Sequence, residues 1–422
     1  MGFPQMIKIK QRLSDEKVHD IPARVESELK RIGISDNIKE GNSVAITVGS
    51  RGVRNIDLIT KEVVKYLKSC GGLPFIVPAM GSHGGASAQG QIDVLAHYGV
   101  TEEYTGAPIK SSMEVIEIGE TVDGIKVFLD KYASEADHII AMNRIKPHTD
   151  FYGEIESGLH KIMTIGLGKH KGAQYYHQAA VEYGLERIIY TVGQTVLNNA
   201  PVLCGIGIVE NGYDETAEIK AIKPKDFATE EKALLIKAKQ LIARLPFDYV
   251  DILIVDEIGK DISGTGMDTN VIGRMMAPLL STEPELPKIK RIIVSDLTKD
   301  TEGNALGIGL ADFCNKRIVE KINKHVMYTN GLTGLAPEKV RIPMDFSTDR
   351  EMLAAALETI GLVKPEQARV MHIKSTLHLE HLEVSTIFAD EIKKRKDLTI
   401  IREAEPIKFD KNDNLVFITD KN

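Results

Sequence analysis

The chain has 422 residues, 43% apolar and 27% charged, which describes a folded globular protein too long for one average core; at roughly 100–200 residues per domain it holds two or three domains. A formal net charge of −7, no long basic run, no Trp and an aromatic content of 5% argue against nucleic acid or an anionic membrane as partner, and leave small anions free to bind at local positive sites. Three separated cysteines, Cys70, Cys204 and Cys314, form no CxxC pair, so neither a disulfide framework nor a cysteine zinc site is expected. The N-terminus lacks the apolar core of a secretory signal, no stretch approaches the ~20 apolar residues of a membrane span, and Met6 breaks the myristoylation pattern. A cytoplasmic protein is the expectation.

The first forty residues read as a short strand, a turn and a helix. Residues 43–50 (SVAITVGS) are a β-branched strand ending in Gly49-Ser50-Arg51-Gly52, and 56–70 shows helical periodicity that closes at Gly71-Gly72. A second strand, 74–80 (PFIVPAM), leads into GSHGGASAQGQ and a helix to about Tyr98. Strand, helix, strand, glycine loop and helix in this order predict a parallel α/β sheet, with both glycine turns at carboxyl ends of strands, where such sheets bind ligands. Two short strands within 113–128 flank Val122-Asp123-Gly124, and a strand over 137–142 (DHIIAM) places His148 just past its end. Residues 171–199 read as mostly helical with a break near Gly184, 201–210 and 218–222 as strands, and 226–245 as an amphipathic helix with Glu230, Glu231 and Lys232 on exposed turns. A second series of strands and helices starts at Pro246. The expected fold is therefore α/β, with mostly parallel sheets in two domains, 1–245 catalytic and cofactor-binding and 246–422 closing an interdomain active-site cleft.

The segment 143–178, NRIKPHTDFYGEIESGLHKIMTIGLGKHKGAQYYHQ, is poorly built for packing. Four of the twelve histidines, His148, His160, His170 and His177, interrupt its apolar period, together with Lys146, Lys161, Lys169 and Lys171. Metal binding is one reading, although no HExxH is present; His170 and His177, seven apart, can also share a helix face. GSHGGAS puts His83 in a turn at a helix N-terminus, where free N–H groups attract an anion and Gly84 and Gly85 permit close backbone approach. A capping turn alone explains the glycines and Ser87, but not a histidine at the tip. In GSRGVRN, Arg51 suits a carboxylate fork, while Arg54 reads as a solvated surface charge. His372, His378 and His381 read as surface or strand residues, and the loop 256–270 (DEIGKDISGTGMDTN) either closes over a substrate or binds a divalent cation through oxygens.

Taken together, Arg51 in GSRG, His83 in GSHGG, His148 in KPH, Lys161 in SGLHK and His177 in YYHQ, sixteen residues beyond the lysine, make the first half of the chain resemble the nickel-pincer lactate racemase family. The resemblance implies racemisation or epimerisation of a 2-hydroxy acid, lactate-like or a sugar acid. It implies a pyridinium-3,5-bisthiocarboxylic acid mononucleotide holding nickel, tethered through a thioamide to Lys161, with His177 as the remaining nickel ligand. His83 and His148 would flank the substrate carbon, one taking the hydroxyl proton while the Cα hydride moves to the cofactor. Arg51 would orient the substrate carboxylate or contact the cofactor, and Gly84 and Gly85 would approach it. Partners would be the cofactor-synthesis proteins and a small-molecule acid. His160 and His170 take supporting or structural roles. The arginine turn reads Val-Gly-Ser-Arg-Gly where the family has D-x-T-R-P, and Leu159-His160 stands before the lysine where it has Gly-x.

Two other readings of the same residues stand beside this one. A hydro-lyase or hydrolase would use His83 and His148 directly, without the pincer, with an oxygen-bound ion at 256–270. A non-catalytic sugar-acid binding protein would need neither histidine for turnover.

Overall fold

The computed structural model describes residues 2–50 and 52–419. The chain divides into two compact units, Ser14–Ile242 on one side and Met1–Leu13 with Ala243–Asn422 on the other. The first strand, β1 (Gln5–Gln11), thus leaves the half that follows it in sequence.

The N-terminal unit is built on β2 (Ser43–Val48), β3 (Leu73–Pro78), the two-stranded ribbon β4 (Val115–Glu120) and β5 (Lys126–Asp130), then β6 (His138–Arg144), β7 (Val202–Glu210) and β8 (Thr216–Ile222). The main sheet has the order β3-β2-β6-β7-β8, parallel from β3 to β7 and antiparallel at β8. Val44, Ile46, Ile76, Ile140 and Ile206 give it a fully apolar interior, and the helix Ile56–Ser69 covers one face with Ile56, Ile59, Val63 and Leu67 at helical spacing. Each such aliphatic side chain contributes roughly 1.5–3 kcal/mol through burial. The helix stops where Gly71 takes φ 85°, a conformation that glycine adopts without steric cost.

Chain order and spatial order diverge at β2, whose neighbours are β3 on one side and β6 on the other. This is the switch point of an open parallel sheet, where the loops leaving adjacent strands separate and open a crevice. The loops after β2, β3 and β6 carry Ser50, His83 and His148, so the topology alone brings them to one edge.

The C-terminal unit adds β9 (Tyr249–Ile258), β10 (Lys288–Leu297), β11 (Phe313–Asn315), β12 (Met344–Phe346), β13 (Val370–Ser375), β14 (His378–Ser385) and β15 (Leu398–Pro406). Its sheet runs β12-β11-β10-β9-β13-β14-β1-β15, parallel as far as β13 and antiparallel beyond. Ile252, Leu253, Ile254 and Val255 of β9 are buried as a continuous run, as a central parallel strand requires. Among the described residues no helix is long and apolar enough to cross a membrane.

Candidate active site

His148 follows β6 and is 9% exposed. The loop that holds it closes around a buried carboxylate: Glu156 Oε2 accepts the His148 N–H at 2.6 Å, while Oε1 accepts from Gly153 N at 3.3 Å and from Lys239 Nζ at 2.5 Å. Phe151 packs on the imidazole with ring centroids 4.5 Å apart. The Asp150 N–H donates to Nδ1 at 3.0 Å, and Lys161 Nζ lies 2.6 Å from Nε2. Both ring nitrogens of His148 are thus engaged, Nδ1 by the backbone and Nε2 by the lysine nitrogen.

Lys161 ends a single helical turn, Leu159–Lys161, anchored where Asn143 Nδ2 donates to the Gly158 carbonyl at 2.9 Å. Beneath it His160 is fully buried. Its backbone N–H and Nδ1 both reach Glu231, Nδ1 at 2.5 Å, and its Nε2 meets Gln194 Nε2 at 2.9 Å. The expectation that Glu231 sits on an exposed turn is therefore corrected: it is 1% exposed. The helix Phe227–Leu241 buries Phe227, Glu231, Leu234, Leu235 and Ala238, so the acid lies on the apolar stripe itself. A carboxylate on that stripe is the signal that could have identified it. Gly193 makes room for the imidazole, since a Cβ there would lie 2.7 Å from His160 Cδ2. The chain then passes through a π-turn, Ile162–Gly166, a geometry concentrated at functional sites.

His177 lies on the helix Lys169–Tyr183, within electrostatic reach of Lys161 and Asp150. Its Nδ1–H donates to the Ala173 carbonyl at 2.6 Å, which leaves Nε2 as the lone-pair nitrogen, and burial lowers its pKa, so the ring is neutral as a metal ligand requires. Among the described residues no three His, Cys, Asp or Glu side chains group to hold a metal ion. His170 is exposed, in keeping with a minor role.

His83 sits in the loop after β3, with Nδ1 against the hydroxyl of Ser50 at the end of β2. Gly84 and Gly85 have φ 65° and 63°. They differ in surroundings, because a Cβ on Gly84 would lie 2.5 Å from the Gly90 carbonyl carbon and one on Gly85 would meet nothing. Ser87 caps the helix Ala88–His97 by accepting from Gly90 N at 3.1 Å. Arg51 lies outside the described residues. At the ends of β6 and β7 the sequence reading missed a charged group: Arg144 pairs with Glu210, Glu210 also accepts the Arg54 N–H at 2.6 Å, and burial together with Glu210 pushes Asp214 up to about 6. The structure thus joins His148 directly to Lys161, sets His177 on the helix that follows, and ties His83 to the adjoining strand end.

Residues 6–186 match the family model of the lactate racemase N-terminal domain. Through this stretch the chain is similar to the lactate racemase family. His83, His148, Lys161 and His177 all fall inside the matched lactate racemase domain. The lactate racemase apoprotein from Thermoanaerobacterium thermosaccharolyticum is similar in structure, with a TM-score of 0.54 at 14% identity over 89% of this chain and 99% of that one, which shows a shared fold. A protein from Thermotoga maritima gives a TM-score of 0.48 at 13% identity over 67% of this chain and 71% of its own. No curated protein sequence matches the chain. This similarity supports a racemase-type function in general.

Proposed function

We propose that the protein is a racemase or epimerase of 2-hydroxy acids that works with a nickel-pincer nucleotide. The contact between Lys161 and His148, inside the stretch that matches the lactate racemase N-terminal domain, supports this reading. The donor set fits the cofactor: Lys161 offers an amine to the tether, His177 an imidazole nitrogen of the kind nickel accepts, and Gly84 and Gly85 a bare backbone beside it. When bound, such a cofactor supplies an acceptor for the Cα hydride of the substrate.

The chain's own residues handle the proton and the carboxylate. His83 and His148 take the hydroxyl proton as hydride leaves and return it as hydride comes back; side chains with ordinary pKa near ~6.5 serve as acid and base by turns at neutral pH. Two such groups suit a reaction run from either enantiomer. Arg51 would hold the substrate carboxylate by two parallel N–H bonds. The polar character of the candidate substrate, lactate-like or a sugar acid, follows from this recognition.

Protein coexpressed with the cofactor-synthesis proteins is expected to convert single enantiomers of 2-hydroxy acids into mixtures and to exchange deuterium at Cα poorly with solvent, as direct hydride return requires. Protein made without them is expected to be inert. Dehydration or hydrolysis by the latter would favour the hydro-lyase or hydrolase reading instead.

A further inference from the structure

We infer that Lys169 is a positioning residue that fastens the His83 loop to the segment bearing Lys161 and His177. Lys169 is fully buried, yet it is a lysine with φ 54°, a conformation that side chains rarely adopt and that persists only when the surroundings fix it. Its ammonium has three donors and three acceptors around it: the Pro78 carbonyl at 2.5 Å, Gln91 Oε1 at 2.9 Å and Asp130 Oδ2 at 3.3 Å. The third is an ion pair without hydrogen-bond alignment, since Asp130 Oδ2 makes no hydrogen bond, while the carboxylate's other oxygen caps Ala133 N at 2.9 Å.

Gln91 carries the connection onward. It is fully buried, and its Nε2 donates to the carbonyls of Gly81 at 2.9 Å and His83 at 3.3 Å. One lysine thus grips the end of β3, the helix after the histidine loop, and the end of β5. It stands eight residues after Lys161 and eight before His177. The loop's own backbone closes the arrangement, with Gly81 N bonded to the Gly166 carbonyl at 3.3 Å. Burial lowers the Lys169 pKa and raises that of Asp130, so the group is held by its geometry against desolvation. The consequence for turnover rests on the racemase reading; the positioning itself does not.

Gln91→Glu separates the two links. A carboxylate keeps an acceptor for Lys169 but has no N–H for Gly81 and His83. In the apoprotein, hydrogen exchange is expected to quicken about tenfold or more in the peptide spanning 80–87, with β2, β3 and β6 unchanged. In cofactor-loaded protein kcat is expected to fall about 10–100-fold with KM within about twofold, as misplacement of an acid-base group predicts. Gln91→Asn serves as a second variant, with the amide restored but shortened, and is expected to give an intermediate exchange rate. A folded Gln91→Glu protein with unchanged exchange in 80–87 overturns the inference, as does loss of protection throughout the unit. Quickened exchange in Gln91→Glu together with a loaded wild type that shows no racemisation would uphold the positioning and count against the racemase reading alone.

Discussion

Nζ of Lys161 and Nε2 of His148 lie 2.6 Å apart, and the Asp150 N–H donates to Nδ1 of the same ring. Brief treatment with formaldehyde and cyanoborohydride near neutral pH should therefore methylate Lys161 at a rate set by His148, and His148→Leu should change that rate about tenfold relative to the exposed lysines. Peptide mass mapping reads both. An unchanged Lys161 rate in His148→Leu would mean that the contact does not tune the lysine.

Glu231 supports Lys161 from below through His160. In Glu231→Leu the buried backbone N–H and ring nitrogen of His160 lose their acceptor, at about 1–3 kcal/mol for each unsatisfied group. Glu231→Gln retains an acceptor and should lose much less. Urea unfolding distinguishes the two, and equal midpoints would mean that Glu231 bears no weight.

The two glycines beside His83 should respond differently to alanine. Gly84→Ala drives a Cβ to 2.5 Å from backbone as well as straining φ, so backbone must move and stability should fall by about 3 kcal/mol or more. Gly85→Ala meets open space and carries only the left-handed penalty, about 1–2 kcal/mol. Thermal unfolding of the two single variants provides the comparison.

In the C-terminal unit, His372 Nε2 lies 2.6 Å from Asp256, and Nδ1 lies 3.6 Å from Glu383. Burial opposes the charged ring, but the two carboxylates outweigh it and push the His372 pKa up to about 10. A folded pKa above the unfolded value near ~6.5 gives stability that is fully present below pH ~6.5 and is lost as pH rises through about 10. The difference in unfolding free energy between wild type and His372→Gln should be on the order of a few kcal/mol at pH 6.5 and shrink towards pH 10. A difference independent of pH would mean that the ring is neutral.

Much of this fold was legible because parallel α/β units write themselves locally. The β-branched runs at 43–48 and 138–142, the helix stop at Gly71 and the glycine loop after β3 all follow from nearest-neighbour chemistry. The placement of β1 did not, because its partners β14 and β15 lie at the far end of the chain and its own alternation names no partner. The site divides in the same way. His83, His148, Lys161 and His177 announce themselves as polar residues in glycine-rich turns, whereas Glu156, Glu210 and Gln91 work through backbone atoms that no spacing reveals. In sequence Lys169 is one of four lysines that interrupt the period of 143–178, and only its burial against β3 and β5 sets it apart.

The most direct measurement is the intact mass and nickel content of protein coexpressed with the cofactor-synthesis proteins, compared with Lys161→Ala and His177→Ala. A nickel-bearing covalent adduct on Lys161 is expected in the wild type, no adduct in Lys161→Ala, and an adduct depleted of nickel in His177→Ala. A wild-type protein of unmodified mass without nickel that still turns over a hydroxy acid would contradict the account.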